Sequence, residues 1–302
     1  MERQDQVEAV QRMQDMMEHH LTEPVTMLKL ARAAGYSPFH SARLFKELTG
    51  RSPFEYLRQL RLTRAALTLR DGDARVLDVA LDFLFDSQEG FTRAFSKNFG
   101  ITPARYQKTA PPIPLFLPSS VRDSYAFRTR GEQKMDKEQK PGFVFVQVME
   151  RPARKAVVRR GIRAEHYFAY CEEVGCEVWG VLTSVKEALY EPIGMWLPER
   201  FIREGTSKYV QGVEVPMDYR GSLPEGFELM ELPPCKMMVF QGPPYEDADF
   251  CQAIDALSDA MDSYDPALHG YEWADNDGPR FQLAPQGYRG YIEARPVRPI
   301  SR

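Results

Sequence analysis

The sequence has no run of eighteen apolar residues, so it predicts no membrane-spanning helix and no membrane partner. Its opening stretch, MERQDQVEAVQRM, lacks the apolar core of a signal peptide, which predicts a cytoplasmic protein. Cysteine is scarce: Cys171, Cys176, Cys235 and Cys251 are the four, no Cys-x-x-Cys occurs, and the five histidines are scattered. That pattern argues against a disulfide framework or a zinc site and predicts free, mostly buried thiols with no metal or cofactor. No Ser-His-Asp or Cys-His pattern is visible either, so the chain does not read as an enzyme.

An overall charge of one sign is also missing, with a formal net charge of −4 over 302 residues that are 43% hydrophobic and 27% charged. This is a soluble, globular composition in a chain long enough for two domains. The near-balance hides a division. Residues 28–108 hold 14 Lys and Arg against 8 Asp and Glu, whereas residues 111–302 hold 23 against 29. The first part suits an anionic partner and the second a neutral or cationic one. Between them, residues 109–142 carry five prolines and a polar second half, a linker composition. The expected organisation is therefore a domain over 1–110, a linker over 111–142 and a second domain over 143–302. Within the linker, IPLFLP is apolar and reads as an extended strap lying on one domain.

Both parts repeat internally. Arg43, Phe45, Gly50, Pro53 and Tyr56 return fifty residues later as Arg93, Phe95, Gly100, Pro103 and Tyr106. MERPARKAVVRRG (149–161) returns eighty-one residues later as MELPPCKMMVFQG (230–242). Each part thus reads as a duplication of one supersecondary unit.

In the first part, Leu28, Leu30, Ala31 and Ala34 form the apolar side of a short helix that Gly35 ends. Ser37-Pro38 supplies an N-cap and a first-turn proline for a helix running to about Thr49. Gly50 closes it, and Ser52-Pro53 opens a longer helix over 53–69. The second unit repeats the plan with a helix over 76–83, a tight turn and a helix from about Ser87 to Phe99. Helix, short turn, helix is the arrangement that sets a second helix into the DNA major groove, although packed helices of a plain bundle would give the same pattern.

LARAAGYSPFHSARLFKELTGRSPFEYLRQLRLTRAALTLR, followed by VLDVALDFLFDSQEGFTRAFSKNFGITPARYQ, resembles the AraC family of bacterial transcription regulators. The resemblance covers residues 8–108, and its closing FSKNFGITPARYQ is the most specific part. It implies two helix-turn-helix motifs that bind double-stranded DNA, with RNA polymerase as a further partner. One departure stands out: Leu84 occupies the turn position where Gly35 stands in the first unit. A Leu forced to positive φ costs about 1 kcal/mol, which predicts a strained or remodelled turn.

The resemblance further implies that the exposed face of each second helix reads bases. Ser37, Pro38, Phe39, Ala42, Arg43 and Lys46 make up the first face, and Ser87, Gln88, Glu89, Thr92, Arg93 and Lys97 the second. Arg pairs with guanine, Gln with adenine, Glu with the cytosine amino group and Phe with a thymine methyl. The alternative for each is a solvated or phosphate-contacting side chain, and for Arg93 an inter-helix tie.

Residues 143–300 alternate short strands (143–150, 154–160, 208–215, 227–231, 235–241, 279–284, 289–295) with helices near 164–172, 177–189 and 246–263. The expected fold class is therefore multidomain: all-α first, then α+β. The second domain reads as duplicated strand-helix-strand-strand units in an antiparallel sheet, with helices on one face and an open groove on the other. GVEVP (212–216), VFQGPPYED (239–247) and YIEARPV (291–297) resemble the GyrI-like effector-binding domain, found behind AraC-type DNA-binding domains in a Rob-like architecture and in multidrug-sensing MerR-type activators. This implies a small-molecule effector, cationic or aromatic, in a groove lined by aromatics and a carboxylate.

Strand alternation turns Ile292 and Ala294 toward the helices, leaving Tyr291 and Glu293 toward the groove. Glu214 reads as the counterpart of Glu293 in the first repeat. Trp179, Trp196, Tyr209, Tyr245 and Trp273 are the other candidates, suited to a lipophilic cation through cation–π contact. A structural role remains open for each, as core for the aromatics and as an arginine's partner for Glu293. Some GyrI-like proteins are hydrolases, so the alternative function is hydrolysis of small electrophilic compounds. A further possibility is constitutive DNA binding with a merely structural second domain.

Overall fold

A computed structural model describes residues 2–122, 125, 143–246 and 249–300, so most of the expected linker lies outside the described residues. The chain divides into two compact units, Met1–Gln133 and Lys134–Arg302.

The first unit is helical: α1 (Glu2–His19), α2 (Met27–Ala34), α3 (Pro38–Thr49), α4 (Pro53–Asp71), α5 (Val76–Asp82), α6 (Gln88–Phe99) and α7 (Pro103–Thr109). The caps read from the sequence set the boundaries. Ser37, Ser52, Ser87 and Thr102 each accept a backbone N–H three residues on, and Glu55 completes a capping box with Ser52. Two apolar clusters result. The first gathers Val10, Met13, Leu30, Leu44, Phe45, Leu57 and Leu60, and the second Leu62, Ala65, Leu69, Val79, Phe91 and Phe95. Helix α4 is the spine shared by both. The apolar segment after α7 does lie as a strap: Ile113 and Leu115 enter the second cluster, Phe116 and Val121 the first.

The second unit is an antiparallel sheet with helices. Its strands are β1 (Phe145–Arg151), β2 (Arg154–Arg160), β3 (Ile193–Trp196), β4 (Tyr209–Val215), β5 (Phe227–Leu232), β6 (Cys235–Gln241), β7 (Tyr271–Trp273), β8 (Arg280–Leu283) and β9 (Ile292–Pro299). Its α-helices are α8 (Tyr167–Val174), α9 (Val178–Thr183) and α10 (Phe250–Asp262). Strands run in the order β1-β6-β9-β8-β3-β4-β2-β5, with β7 added on β9. Strand β1 is at one edge and β2 next to the other, yet only Pro152 and Ala153 join them. The sheet must therefore curl until its ends meet.

That curl corrects the expected open groove. The face carrying Ala156, Val158, Ile193, Met195, Val210, Met237, Val239, Phe281 and Ala294 is filled by one apolar cluster drawn from both ends of the sheet. Tyr209 and Val213 lie instead under α8 and α9, and Phe240 and Tyr291 under α10. Ala294 thus faces away from the helices, and Ile292 packs with it. Tyr291 is on the helix-bearing face, and so is Glu293 by strand alternation. Parity along the strand was read correctly, but the side bearing the helices was assigned in reverse.

Candidate nucleic-acid interface and effector-binding row

In the first unit, Gly35 ends α2 with φ 77°, and its N–H reaches the Ala31 and Arg32 carbonyls. Two residues later Ser37 caps α3. In the second, Leu84 holds φ 59°, a left-handed backbone that a side chain disfavours. From Leu84 to the Ser87 cap is three residues, so the second turn is one residue longer. Both strain and remodelling are present.

Each second helix presents the expected face. Pro38, Phe39, Arg43 and Lys46 are exposed on α3, with Phe39 at 82%, while Ala42 is half-buried behind them. On α6, Gln88, Glu89, Arg93 and Lys97 are exposed and Thr92 half-buried. The opposite sides are core: Ser41, Leu44 and Phe45 on α3, and Phe91, Ala94 and Phe95 on α6. Among the described residues neither Arg43 nor Arg93 forms an ion pair. Arg93 lines a cleft of about 550 Å³ together with Arg58, Arg61, Leu84 and Ser87. This cleft went unread in the sequence because its walls come from α4, the second turn and α6, which only the fold brings together.

In the second unit, the pairing registers lay a row across the helix-bearing face. Phe240 stands opposite Glu293, Glu293 opposite Gln282, Gln282 opposite Gly194 and Gly194 opposite Gln211. A Cβ at Gly194 would clash with the Tyr209 hydroxyl, so only glycine leaves room for that ring at the centre. Tyr291 Oη donates to Gln282 Oε1 at 2.8 Å, and Gln282 Nε2 donates to Tyr209 Oη at 3.3 Å. Burial drives both phenols well above their ordinary pKa, so they stay protonated. The Gln211 carboxamide is fully buried, and among the described residues it has no hydrogen-bonding partner besides the Cys171 thiol.

Glu293 is 1% exposed and ion-pairs with Arg280, whose guanidinium lies 5.3 Å from the Trp196 ring centre. Burial raises the Glu293 carboxyl above its ordinary value, partly offset by Arg280. Trp196 meets Tyr209 edge-on at 5.3 Å and donates Nε1–H to the Glu165 carbonyl. Tyr245 packs in the Tyr291 cluster, and Trp179 reaches this region through Tyr167, 6.2 Å away. Phe168 of α8 touches Phe250 of α10 edge-on at 6.4 Å, bringing the two helix sets together.

One expected site residue is elsewhere. Glu214 lies on the opposite face, where Arg151 Nη1 and Arg154 Nε reach it at 2.8 and 2.7 Å. Arg154 also donates to the Pro152 and Pro233 carbonyls, so this cluster closes the seam of the curled sheet. In the register Gln211 and Glu293 each stand one strand out from the central Gly194–Gln282 pair, and Glu214 does not. Trp273 packs against the Tyr291 cluster, its ring 6.3 Å from that of Phe240, and lies under the Arg295 guanidinium at 4.3 Å, itself paired with Asp275. Arg280, Gln282 and Gln211 were missed. The signal was there: polar residues two apart in RFQL, and a lone glutamine inside the buried strand YVQGVEV.

A helix-turn-helix domain family matches residues 30–109. The transcriptional regulator Rob of Salmonella typhimurium is 44% identical over 94 residues, which is 31% of this chain and 32% of that protein. The match thus spans about a third of the length of that curated relative. The probable transcription factor PqrA of Proteus vulgaris is 41% identical over 86 residues, covering 28% of this chain and 70% of that protein. Among solved structures, an AraC-type regulator from Chromobacterium violaceum aligns over 33% of this chain and 89% of its own, at 28% identity and a TM-score of 0.32.

Proposed function

Because the chain belongs to the AraC family of helix-turn-helix DNA-binding proteins, we propose that it is a transcription regulator answering a small-molecule effector. The observation that carries the proposal is the pair of exposed faces on α3 and α6, one on each side of a rigid α4. In this reading Arg43, Gln88 and Glu89 read base edges and Phe39 meets a thymine methyl. Lys46, Lys97 and the helix N-termini at Ser37 and Ser87 hold phosphates. RNA polymerase is the further partner. Selection from a random duplex library with the full-length protein should return an asymmetric two-part site of about 15–20 bp, its parts about one helical turn apart. Recovery of palindromes only would overturn this.

For the second unit, we read the strand order, which is the same from either end when β1 exchanges with β5, β6 with β2, β9 with β4 and β8 with β3, as a duplication. The effector site is the central row between the two helix sets. Arg280, against both Glu293 and Trp196, holds the place a ligand cation would take, so an aromatic cation binds by displacing it. Tetraphenylphosphonium is a suitable probe. By calorimetry, Glu293→Gln should weaken its binding by about 1–3 kcal/mol, and Arg280→Gln should tighten it. Protonating Glu293 removes the charge, so affinity should fall as pH drops through its raised pKa, above the ordinary 4.5. Equal affinity in both variants would overturn the assignment.

A further inference from the structure

Two chain segments, not one, join the helix-turn-helix units. Helix α4 contributes Leu57 and Leu60 to the first cluster and Leu62, Ala65 and Leu69 to the second. The strap does the same in reverse order, with Ile113 and Leu115 in the second cluster and Phe116 and Val121 in the first. The crossovers coincide. Thr63 lies just past the point where α4 changes clusters, and its Oγ1 accepts the Phe116 N–H at 2.9 Å, just where the strap changes over.

Beyond the crossover the strap is bolted to the first unit. Phe116 meets Tyr56 edge-on at 5.1 Å, and the Arg51 guanidinium lies 5.2 Å from its ring centre. The buried Gln14 donates Nε2–H to Tyr56 Oη and to the Ser119 carbonyl, and its Oε1 accepts the Val121 N–H. Gln11 Oε1 accepts from the Ser120 hydroxyl, and Arg122 grips Glu8 with two parallel hydrogen bonds.

A single helix leaves one soft motion between bodies mounted on its two ends, namely twisting and bending at their junction. A second tie off that helix's axis removes it. We infer that the strap over residues 111–122 is a positioning element that fixes the angle between α3 and α6, and so sets the spacing of the DNA site without contacting DNA. The inference rests on the two-part DNA reading above. In it, the tolerance for spacing resides in Leu115, Phe116, Thr63 and Gln14, none of them on a reading face.

The test uses the full-length protein and its selected duplex, with one base pair inserted between the two parts. The unaltered protein should lose on the order of tenfold in affinity, the scale of one mismatched base pair. The Leu115→Ala/Phe116→Ala protein should show less than about threefold discrimination. It should keep its base preference within each part and its helical circular dichroism. If it folds yet retains the full discrimination, or loses affinity equally on both duplexes, the inference falls. Should this variant fail to fold, Thr63→Val decides in the same way, since it keeps the side-chain shape and removes the Phe116 partner. A protein that selects no duplex at all would refute the DNA reading instead, and is recognised before any variant is made.

Discussion

Gly35 and Leu84 hold the same left-handed backbone in the two turns, but only glycine does so without a steric penalty. The second turn also needs an additional residue before its cap. On the helices that follow, the sequences run in step: Phe45 and Phe95 are both completely buried, and Arg43 and Arg93 are both exposed. The comparison teaches that the frame is shared while the turns are individual. Leu84 keeps an exposed side chain on the wall of the cleft that Arg93 also lines. Leu84 thus holds its backbone strain with an outward-facing side chain rather than one packed in the core.

The sharpest way to separate the units is at their reading faces. Arg43→Ala and Gln88→Ala should each lose about 1–3 kcal/mol of DNA binding and relax preference at one base position, in different parts of the site. Lys97→Ala should instead weaken all sequences alike and lower the salt slope by about one unit. Competition titrations against single-base variants at several salt concentrations measure both. If Arg43→Ala behaves like the lysine change, the first unit positions and only the second reads.

Gly35→Ala should destabilise the protein by about 1 kcal/mol in urea unfolding, through backbone conformation alone. A Cβ there would meet nothing within 4 Å, so no clash contributes. The smallest effect belongs to Leu84→Gly. Relief of strain is offset by the added freedom of glycine in the unfolded chain, leaving a change within about 0.5 kcal/mol. A gain above 1 kcal/mol would mean that the long second turn stores more strain than its φ indicates.

The helical unit was readable because its signals are local. Ser-Pro caps, glycine stops and 3.6-residue periodicity are written within a few positions of the elements they set. The sheet was readable only in part. Strands β3 and β7, with four and three residues, are too short to show alternation. Without β3, Gly194 could not be seen opposite Gln282, and the centre of the polar row stayed hidden. Alternation paired Tyr291 with Glu293 correctly, yet nothing along one strand tells which face the helices will cover when both are buried. Glu214 looked like a ligand group because the two arginines that neutralise it are 63 and 60 residues away.

The strap also decides where the protein can be divided. A fragment ending at residue 110 would omit Ile113, Leu115, Phe116 and Val121, leaving sockets uncovered in both helical clusters. Each buried apolar side chain of this size contributes roughly 1.5–3 kcal/mol, and the exposed hollows would favour self-association. The shortest well-behaved fragment should therefore run past Arg122, which grips Glu8, to include Tyr125, which packs against the first cluster.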